Sequence, residues 1–435
     1  MALYCYCKTL HTVHDWTSLD GTKYNTYYYY SICFTNDPAR DDPSNSVYYV
    51  EWTPGMTSYP RAGGTVSSDQ IVKIEPLGDT VVLPEDCTGM FKNFRLCAPD
   101  SKSTAYNYYG TSGGRASRSF YKEFTIDFSK FDTSNVKNMT SMFENCLGKA
   151  IWYRVTGSAD GDSGVFYTIM TSYIKFAGLN SWDLRNVANV SRMFANVRVG
   201  DTLSGSNVSL TNFYSGYYSN PFFNESGVVL DLPNCTNASN LFMNSNLVLG
   251  DFSMSFSSEC DCSFMFSGFS IFRLYFNSNW TSPNILNIKN WKFTGGSSIF
   301  KSMFRNTNVN TVELWNVIPV ESLTSSDALD YMFANDGSIN VGNLTSIKVK
   351  PATDWHILNP VLSGYRMFSN DISLPNFNSS SIDINNANNT KSTGYFDQTP
   401  PEITSGNYIK LASGWVESDV YFKTEDGWKE SEVYM

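Results

Sequence analysis

Short stretches in which apolar and polar residues alternate occur throughout the chain. Examples are FTIDFS at 124–129, TVELWNV at 311–317 and LTSIKVKP at 344–351. Because successive side chains of a strand point to opposite faces, each stretch predicts a short strand with one buried face. The pattern therefore predicts a mainly β protein built from many short strands.

The dipeptide Met-Phe recurs between these stretches, and Leu-Phe occupies one further place in the series. Adjacent large apolar residues that recur in this way predict the buried core of a repeated unit. The predicted repeat core consists of Met90, Phe91, Met142, Phe143, Met193, Phe194, Leu241, Phe242, Met265, Phe266, Met303, Phe304, Met332, Phe333, Met367 and Phe368.

The spacing of these pairs defines the unit. The first residues of neighbouring pairs are 24 to 52 positions apart. This range indicates a repeat unit whose length is close to the shortest spacing, with insertions between some copies. We expect a strand, a polar turn and then a short helical or 3₁₀ turn that carries Met-Phe. The Asn two residues after Phe, as in Asn145 and Asn196, is predicted to cap backbone groups. A single unit cannot bury its own apolar face, so the units are predicted to stack.

One copy of the unit, FDTSNVKNMTSMFENC at 131–146, resembles the BspA-type leucine-rich repeat of bacterial surface proteins. WDLRNVANVSRMFANV at 182–197 is similar to it less closely, and the other copies are looser. The resemblance implies a leucine-rich-repeat-like right-handed solenoid, here assigned to 83–395 with long inserts. It also implies a strand face available for binding, a role in attachment or assembly, and no catalytic residue.

The end of the chain, GWVESDVYFKTEDGWKESEVYM at 414–435, contains one short unit twice. Asp426-Gly427 between the copies predicts a tight turn, and the segment 396–435 is predicted to form hairpin-like β units. The duplication is similar to tandem modules that end tail and other structural proteins of bacteriophages. A cap on the solenoid is the alternative interpretation. The marker residues of the two copies are Trp415, Tyr421, Trp428 and Tyr434.

The first part of the chain, 1–82, differs from the repeats. KYNTYYYYSICF at 23–34 and SVYYVEW at 46–52 are aromatic, strand-prone stretches separated by a Pro, Asp and Ser-rich loop. We expect a small β domain that packs on the first repeat and, in a virion protein, is a candidate anchor.

Charge and composition exclude some functions. The net charge of −10 and the scattered Lys and Arg residues disfavour nucleic acid as a partner. The segment 1–16 lacks the pattern of a secretory signal, and no apolar run reaches the length of a membrane span. The odd number of cysteines, 9, predicts mostly reduced thiols in a protein folded in a cytosol.

Candidate sites of chemistry are weak. Cys5, Cys7, His11 and His14 supply the ligand types of a zinc site, but their spacing is atypical and core packing of the cysteines is the favoured interpretation. DGDSG at 160–164 lacks the acidic residue that would complete a calcium loop, which favours a solvated turn. Neither a catalytic residue nor a cofactor is predicted, although two carboxylates of a glycoside-cleaving enzyme would leave no sequence signature.

An aromatic segment at 210–224 offers a candidate recognition loop. Its rings stand among Ser, Asn and Gly, a composition typical of exposed binding loops, while burial beneath the insert is the equal alternative. The residues are Tyr214, Tyr217, Tyr218, Phe222 and Phe223.

These patterns together predict a non-enzymatic structural protein of a bacteriophage virion, a tail or head fibre-like or tip component that acts in attachment. Its expected partners are other virion proteins and a host surface glycan or protein, and a homo-oligomer is left open. The alternatives are a bacterial cell-surface adhesin of the same repeat type and a virion-borne polysaccharide-degrading enzyme.

Overall fold

The computed structural model of the chain describes residues 1–17, 23–38, 48–96, 120–146, 150–159, 162–198, 227–271, 284–336, 344–350, 353–388, 393–397, 408–411, 414–417, 420–424 and 427–431. These residues are mainly β-structure with very little helix, which confirms the predicted class. The described α-helix, α1 (Trp355–Leu358), is capped by the Asp354 side chain, which accepts a hydrogen bond from the Ile357 N–H. Within the described ranges, helices fall short of the length and apolarity that crossing a bilayer requires.

Strands near the N-terminus form one sheet and one small hairpin. The sheet has the order β3-β1-β2-β6, and the hairpin pairs β4 with β5. The strands are β1 (Tyr4–Thr17), β2 (Lys23–Thr35), β3 (Val50–Glu51), β4 (Ser58–Arg61), β5 (Gly64–Ser67) and β6 (Ile71–Pro76). The strand predicted at 23–34 is confirmed, whereas only Val50–Glu51 of the one predicted at 46–52 is described as a strand.

One face of this sheet joins the repeat core. Cys5 is paired with Phe34 and Cys7 with Ile32, so these four side chains lie on the same face. All four are buried, and the Phe34 ring lies 5.8 Å from that of Phe91 in the first repeat unit. The sheet and the repeats therefore share one continuous core.

The strands of the following repeats are short and pair in parallel across successive units. Parallel strands cannot be joined by a tight turn, so the remaining turns of a unit lie between the two strands of each pair in the sequence. The pairs are β7 (Val81–Val82) with β9 (Phe131–Asp132), β12 (Val229–Leu232) with β13 (Ser253–Phe256), and β14 (Ile285–Asn287) with β15 (Thr311–Trp315) and β16 (Ser346–Val349). The strands predicted at 311–317 and 344–351 are thus confirmed.

A further parallel pair, which includes the strand predicted at 124–129, is part of a larger sheet, and two antiparallel hairpins lie near the C-terminal end. The larger sheet has the order β10-β11-β8 and consists of β8 (Phe120–Asp127), β10 (Ala150–Ala159) and β11 (Asp162–Ala177). At the C-terminal end, β17 (Tyr408–Leu411) pairs with β18 (Gly414–Glu417), and β19 (Val420–Thr424) pairs with β20 (Gly427–Ser431), both antiparallel. Short 3₁₀ turns occur at Ser68–Gln70, Leu179–Ser181, Val320–Ser322 and Ile384–Asn386.

Each Met-Phe pair is bonded to the next pair through the backbone. The Phe143 N–H donates to the carbonyl oxygen of Met193 at 2.9 Å, and the Phe194 N–H donates to that of Leu241 at 2.9 Å. The same bond, from a Phe N–H to the residue that precedes the next Phe, recurs from Phe91 to Phe333. The units are therefore stacked in register although their lengths differ.

The turn that carries Met-Phe is not the predicted helical or 3₁₀ turn. The residue before Met or Leu is left-handed in all eight units, and the residue two positions after Phe is left-handed in all of them except the unit of Phe333, as at Ser141 (φ 57°) and Asn145 (φ 59°). Positive φ interrupts a right-handed helix, and Asn adopts it more readily than most residues. The backbone conformation thus favours Asn at this position of the motif. Its side chain also bonds between units, since Asn145 Nδ2 donates to Asn93 Oδ1 at 3.0 Å.

The eight phenylalanines of the Met-Phe series stack into one continuous column, which we call the phenylalanine column. Neighbouring ring centroids are 5.2 to 5.7 Å apart. After the first pair, which is tilted by 20°, the ring planes differ by 11° or less. All sixteen predicted core residues are buried, and the column runs through the centre of the stacked units.

Two polar ladders accompany the column. In the first, the Oδ1 atoms of Asn138, Asn189 and Asn237 each accept a hydrogen bond from the backbone N–H two residues later, and the three residues form parallel bridges to one another. These side chains fix the turn that enters the Met-Phe segment.

The second ladder protects the carbonyl oxygens of the column. Three side chains that lie four positions after Met or Leu donate to the phenylalanine oxygen of the preceding unit. Cys146 donates to Phe91 at 2.9 Å, and Thr307 donates to Phe266 at 2.8 Å. Ser245 makes the same bond to Phe194.

Candidate functional site

The strand face of the last described units carries a row of polar residues. Val312 and Ile347 on neighbouring strands point into the core, so the residues that follow them point to the opposite face. Asn287, Glu313 and Lys348 occupy this row in register, and Asp397 forms a parallel bridge to Lys348. We call these four residues the polar row.

An ion pair lies at the centre of the polar row. Lys348 Nζ is 3.2 Å from Glu313 Oε1, and their side chains are only 16% and 8% exposed. A charge removed from water needs a compensating partner, so each side chain depends on the other. Beside it, the Ser346 hydroxyl donates to Asp397 Oδ2 at 2.6 Å. The row therefore presents fixed donors and acceptors on a rigid sheet.

A cavity of about 360 Å³ opens beside the polar row. Leu249, Ile271 and Ile285 supply apolar wall, and Asn287, Lys289 and Glu313 supply polar groups. This volume suits a small ligand or one residue of a larger one, and mixed walls are typical of such sites. Glu313 is the single carboxylate among the described residues that line the cavity, so an acid–base pair of carboxylates is not assembled from them.

A second surface lies at the end of the repeats and was missed in the sequence. The Tyr331 and Tyr365 ring centroids are 5.5 Å apart, nearly perpendicular, and the Arg305 and Arg366 guanidinium carbons each lie 5.4 Å from one of them. Tyr and Arg are enriched at interaction hot spots. The sequence signal for this surface is the group of large apolar residues at 357–372 that do not belong to a Met-Phe pair. Exposed large hydrophobic residues there are Ile357, Leu358, Val361, Tyr365 and Ile372.

The candidate zinc ligands are spread along one strand. Cys5 and Cys7 are buried against the repeat core, and burial raises the pKa of the Cys5 thiol to about 12, which disfavours the thiolate that binds metal. His11 and His14 belong to the same strand β1, where Cys7 and His11 are separated by roughly 13 Å of extended backbone. Within the described residues, three or more His, Cys, Asp or Glu side chains are nowhere grouped to share a metal ion.

The remaining candidates are placed only in part. The candidate recognition loop, with Tyr214, Tyr217, Tyr218, Phe222 and Phe223, lies outside the described residues. Trp415, Tyr421 and Trp428 belong to β18, β19 and β20 respectively, and Tyr434 lies outside the described residues. The DGDSG segment includes the start of β11, which pairs from Asp162 with Ala159 of β10.

Comparison with known proteins gives one family. Residues 113–149 and 163–280, about a third of the chain, match the family described as "Mycoplasma protein of unknown function, DUF285". This family is associated with BspA-like repeat proteins. The matched residues include four Met-Phe or Leu-Phe pairs, those at 142, 193, 241 and 265. Neither a curated protein nor a solved structure matches the chain.

Proposed function

We propose that the chain is a non-enzymatic attachment protein in which a right-handed, leucine-rich-repeat-like solenoid holds a binding face. The phenylalanine column is the observation that carries this proposal, because it joins eight units of different length into one stack. Such a stack keeps surface residues of distant units at fixed separations, and solenoids typically use extended faces of this kind for binding.

The proposed binding face is the polar row with its cavity. The apolar wall of Leu249, Ile271 and Ile285 suits the C–H face of a sugar ring, while Asn287 and Glu313 provide hydrogen-bond partners for hydroxyl groups. Ligand hydroxyls would exchange water for preformed partners, which limits the ordering cost of binding. The expected ligand class is therefore a neutral or weakly acidic surface glycan.

We place this protein on a bacteriophage virion, with other virion proteins as partners. The duplicated Trp unit at 414–435, which resembles phage tail modules, supports this placement. The alternative is a bacterial cell-surface adhesin, and the match to a family described as a Mycoplasma protein favours it. Both placements use the solenoid in the same way.

Quantitative mass spectrometry of purified virions and of washed cell envelopes from the source culture distinguishes the two placements. Peptides at a few to many copies per particle in the virion fraction are expected for a virion component. Peptides confined to the envelope fraction would overturn that placement in favour of the adhesin.

The binding face is tested separately with purified protein and oligosaccharides released from those envelopes. Lys289→Ala is expected to weaken binding about tenfold, the loss of one charged hydrogen-bond donor, while thermal stability stays unchanged. Lys292→Ala is a matched control, because Lys292 is exposed and does not line the described cavity. Equal affinities for the two variants would remove the cavity from the binding face. Shortening of the oligosaccharides would instead indicate the polysaccharide-degrading alternative.

A further inference from the structure

Asp371 occupies a special position in the last Met-Phe unit. It lies four residues after Met367, the position that Cys146, Ser245 and Thr307 hold in their own units. Those three side chains donate hydrogen bonds to the phenylalanine oxygen of the preceding unit. For Asp371 the corresponding acceptor is the carbonyl oxygen of Phe333.

That acceptor lacks a donor in the described part of the chain. Seven of the eight column phenylalanines accept a backbone or side-chain hydrogen bond at their carbonyl oxygens, as Phe304 does from the Thr307 N–H at 3.1 Å. No described N–H or O–H group donates to Phe333, since the Asp336 N–H donates instead to Asn306 Oδ1. A buried carbonyl oxygen without a donor costs free energy.

The Oδ2 atom of Asp371 likewise has no partner among the described residues. The residue is 2% exposed, and its Oδ2 atom is buried with no hydrogen-bond partner. Burial raises the pKa of this carboxyl well above its usual range. A carboxylate can only accept hydrogen bonds, whereas a carboxylic acid can also donate one.

We propose that Asp371 is protonated in the folded protein and donates its carboxyl hydrogen to the carbonyl oxygen of Phe333. One proton thus satisfies two buried groups that are otherwise unpaired. Asp371 then performs for the last unit the task that a thiol or hydroxyl performs in earlier ones. The last unit closes fully only while this proton is bound.

Among the described residues, the charged and titratable groups of the last units bond to partners other than Asp371. Burial alone raises the pKa of the Asp371 carboxyl. Asp336 forms an ion pair with Arg305, and Asp330 accepts hydrogen bonds from Ser363 and Tyr365. Asp383 accepts a hydrogen bond from the Arg366 N–H, and the Arg366 guanidinium lies over the Tyr365 ring. The Tyr395 hydroxyl donates to the carbonyl oxygen of Ser381.

The sign of the pH effect follows from linkage. The carboxyl binds its proton more tightly in the folded state than in the unfolded chain, where its pKa is about 4. Its stabilising contribution is therefore complete at low pH and is lost as pH rises through the folded value. In that window, opening of the last unit in the native protein increases about tenfold per pH unit relative to a neutral variant.

Amide hydrogen exchange of the full-length protein, followed by mass spectrometry, measures this opening. Peptides that cover 366–371 are compared between the native protein and Asp371→Asn at the same pH, which cancels the intrinsic pH dependence of exchange. The opening of the native protein, divided by that of Asp371→Asn, is expected to rise with pH between 4.5 and 8.5. Peptides that cover 141–145 serve as the internal reference and are expected to keep a constant ratio.

Two further variants separate the charge from the hydrogen bond. Asp371→Thr, which copies Thr307, is expected to protect the last unit at every pH. Asp371→Val, which copies Val197, removes the donor, so its last unit is expected to open more than that of Asp371→Thr, again at every pH. A ratio of opening between the native protein and Asp371→Asn that stays constant across the pH range would overturn the proposal. So would equal protection in the Thr and Val variants, because the proposed donor would then contribute nothing.

Discussion

The ring of Phe143 lies parallel to the ring of Phe194, with their centroids 5.4 Å apart and their planes within 1°. These residues are separated by 51 positions, yet their backbones are bonded directly, since the Phe143 N–H donates to Met193, the residue before Phe194. Parallel, offset rings at this distance are a favourable arrangement of aromatic side chains. Each ring between the two ends of the column is therefore held by a backbone hydrogen bond to the next unit and by the rings on either side of it.

Phe143→Ala is expected to lower the free energy of unfolding by about 3 to 5 kcal/mol, because it leaves a cavity between two stacked rings. Urea unfolding followed by Trp fluorescence measures the change. Val361→Ala, at a residue that is 64% exposed, is the control and is expected to shift stability by less than about 0.5 kcal/mol. A neutral Phe143→Ala would contradict the column as a source of stability.

A second prediction concerns the left-handed backbone conformation of the motif Asn residues. Asn196 has φ 55°, and Gly268 holds the same place in its unit with φ 65°. Asn196→Gly is therefore expected to be tolerated, whereas Asn196→Val is expected to destabilise by at least about 1 to 2 kcal/mol, because a β-branched residue is strained there. Thermal unfolding of the two variants checks this. Equal stability would mean that the turn relaxes without cost.

Ser245 tests the hydrogen bonds to the column. Its hydroxyl donates to the Phe194 oxygen and accepts from the Val197 N–H, and the residue is fully buried. Ser245→Ala is expected to cost about 1 to 3 kcal/mol, because the Val197 N–H and the Phe194 oxygen are then left only with the long 3.4 Å bond between them. Ser245→Cys, which copies Cys146, is expected to retain most of the stability. Chemical denaturation of the pair gives the comparison, and an Ala variant as stable as the Cys variant would refute the role of the donor.

The ion pairs of Glu144 predict that the stability of the fold decreases in acid. Its side chain is 5% exposed and lies 2.8 Å from Lys92 Nζ and 2.5 Å from Arg192 Nη2, each in a neighbouring unit. Burial opposes the charged form, but hydrogen bonds from Arg192 and Lys92 outweigh it and lower the pKa of Glu144 to about 2. The lowered pKa means that Glu144 stabilises the fold fully above about pH 4.5, and that this contribution is lost as pH falls towards 2.

Glu144→Gln is therefore expected to be less stable than the native protein at pH 7, with a difference that shrinks as pH falls towards 2. Denaturant midpoints measured at several pH values follow this difference. Glu85→Gln is the matched control, because Glu85 pairs with Lys137 at 3.0 Å but both side chains are more than half exposed. Exposed pairs contribute little, so this control is expected to change stability by less than about 1 kcal/mol. A pH-independent difference for Glu144→Gln would show that the bridge acts without its charge.

The parts of this structure that depend on repeated local pattern were accessible from the sequence. Met-Phe pairs identified the buried column positions, and alternation identified strands such as Thr311–Trp315. The Met-Phe turn differs from the predicted helical turn, because left-handed residues such as Ser141 and Asn145 interrupt a right-handed helix. The predicted bonding of the motif Asn to backbone groups is present at Asn306, which accepts from the Asp336 N–H, and at Asn370, which donates to the Asn335 oxygen. The recurring Asn-x-Ser/Thr of the turn, as at Asn189 and Ser191, was the overlooked signal.

The binding face depends on contacts between units, which a linear pattern does not contain. Glu313 and Lys348 are 35 residues apart, and only the parallel pairing of β15 with β16 brings them together. The same holds for Tyr331 and Tyr365, whose pairing follows from stacking of the last two Met-Phe units. Single residues of these pairs look like ordinary surface side chains in the sequence.

The phenylalanine column also has an evolutionary consequence. One step along it takes 24 residues between Leu241 and Met265 and 52 residues between Met90 and Met142, yet the corresponding ring separations are 5.4 and 5.2 Å. Loop length and core geometry are therefore independent variables in this architecture. Spacings from 24 to 52 residues are accommodated between neighbouring rings at nearly constant ring separation, so new surface segments can be inserted between units while the inherited scaffold is left intact.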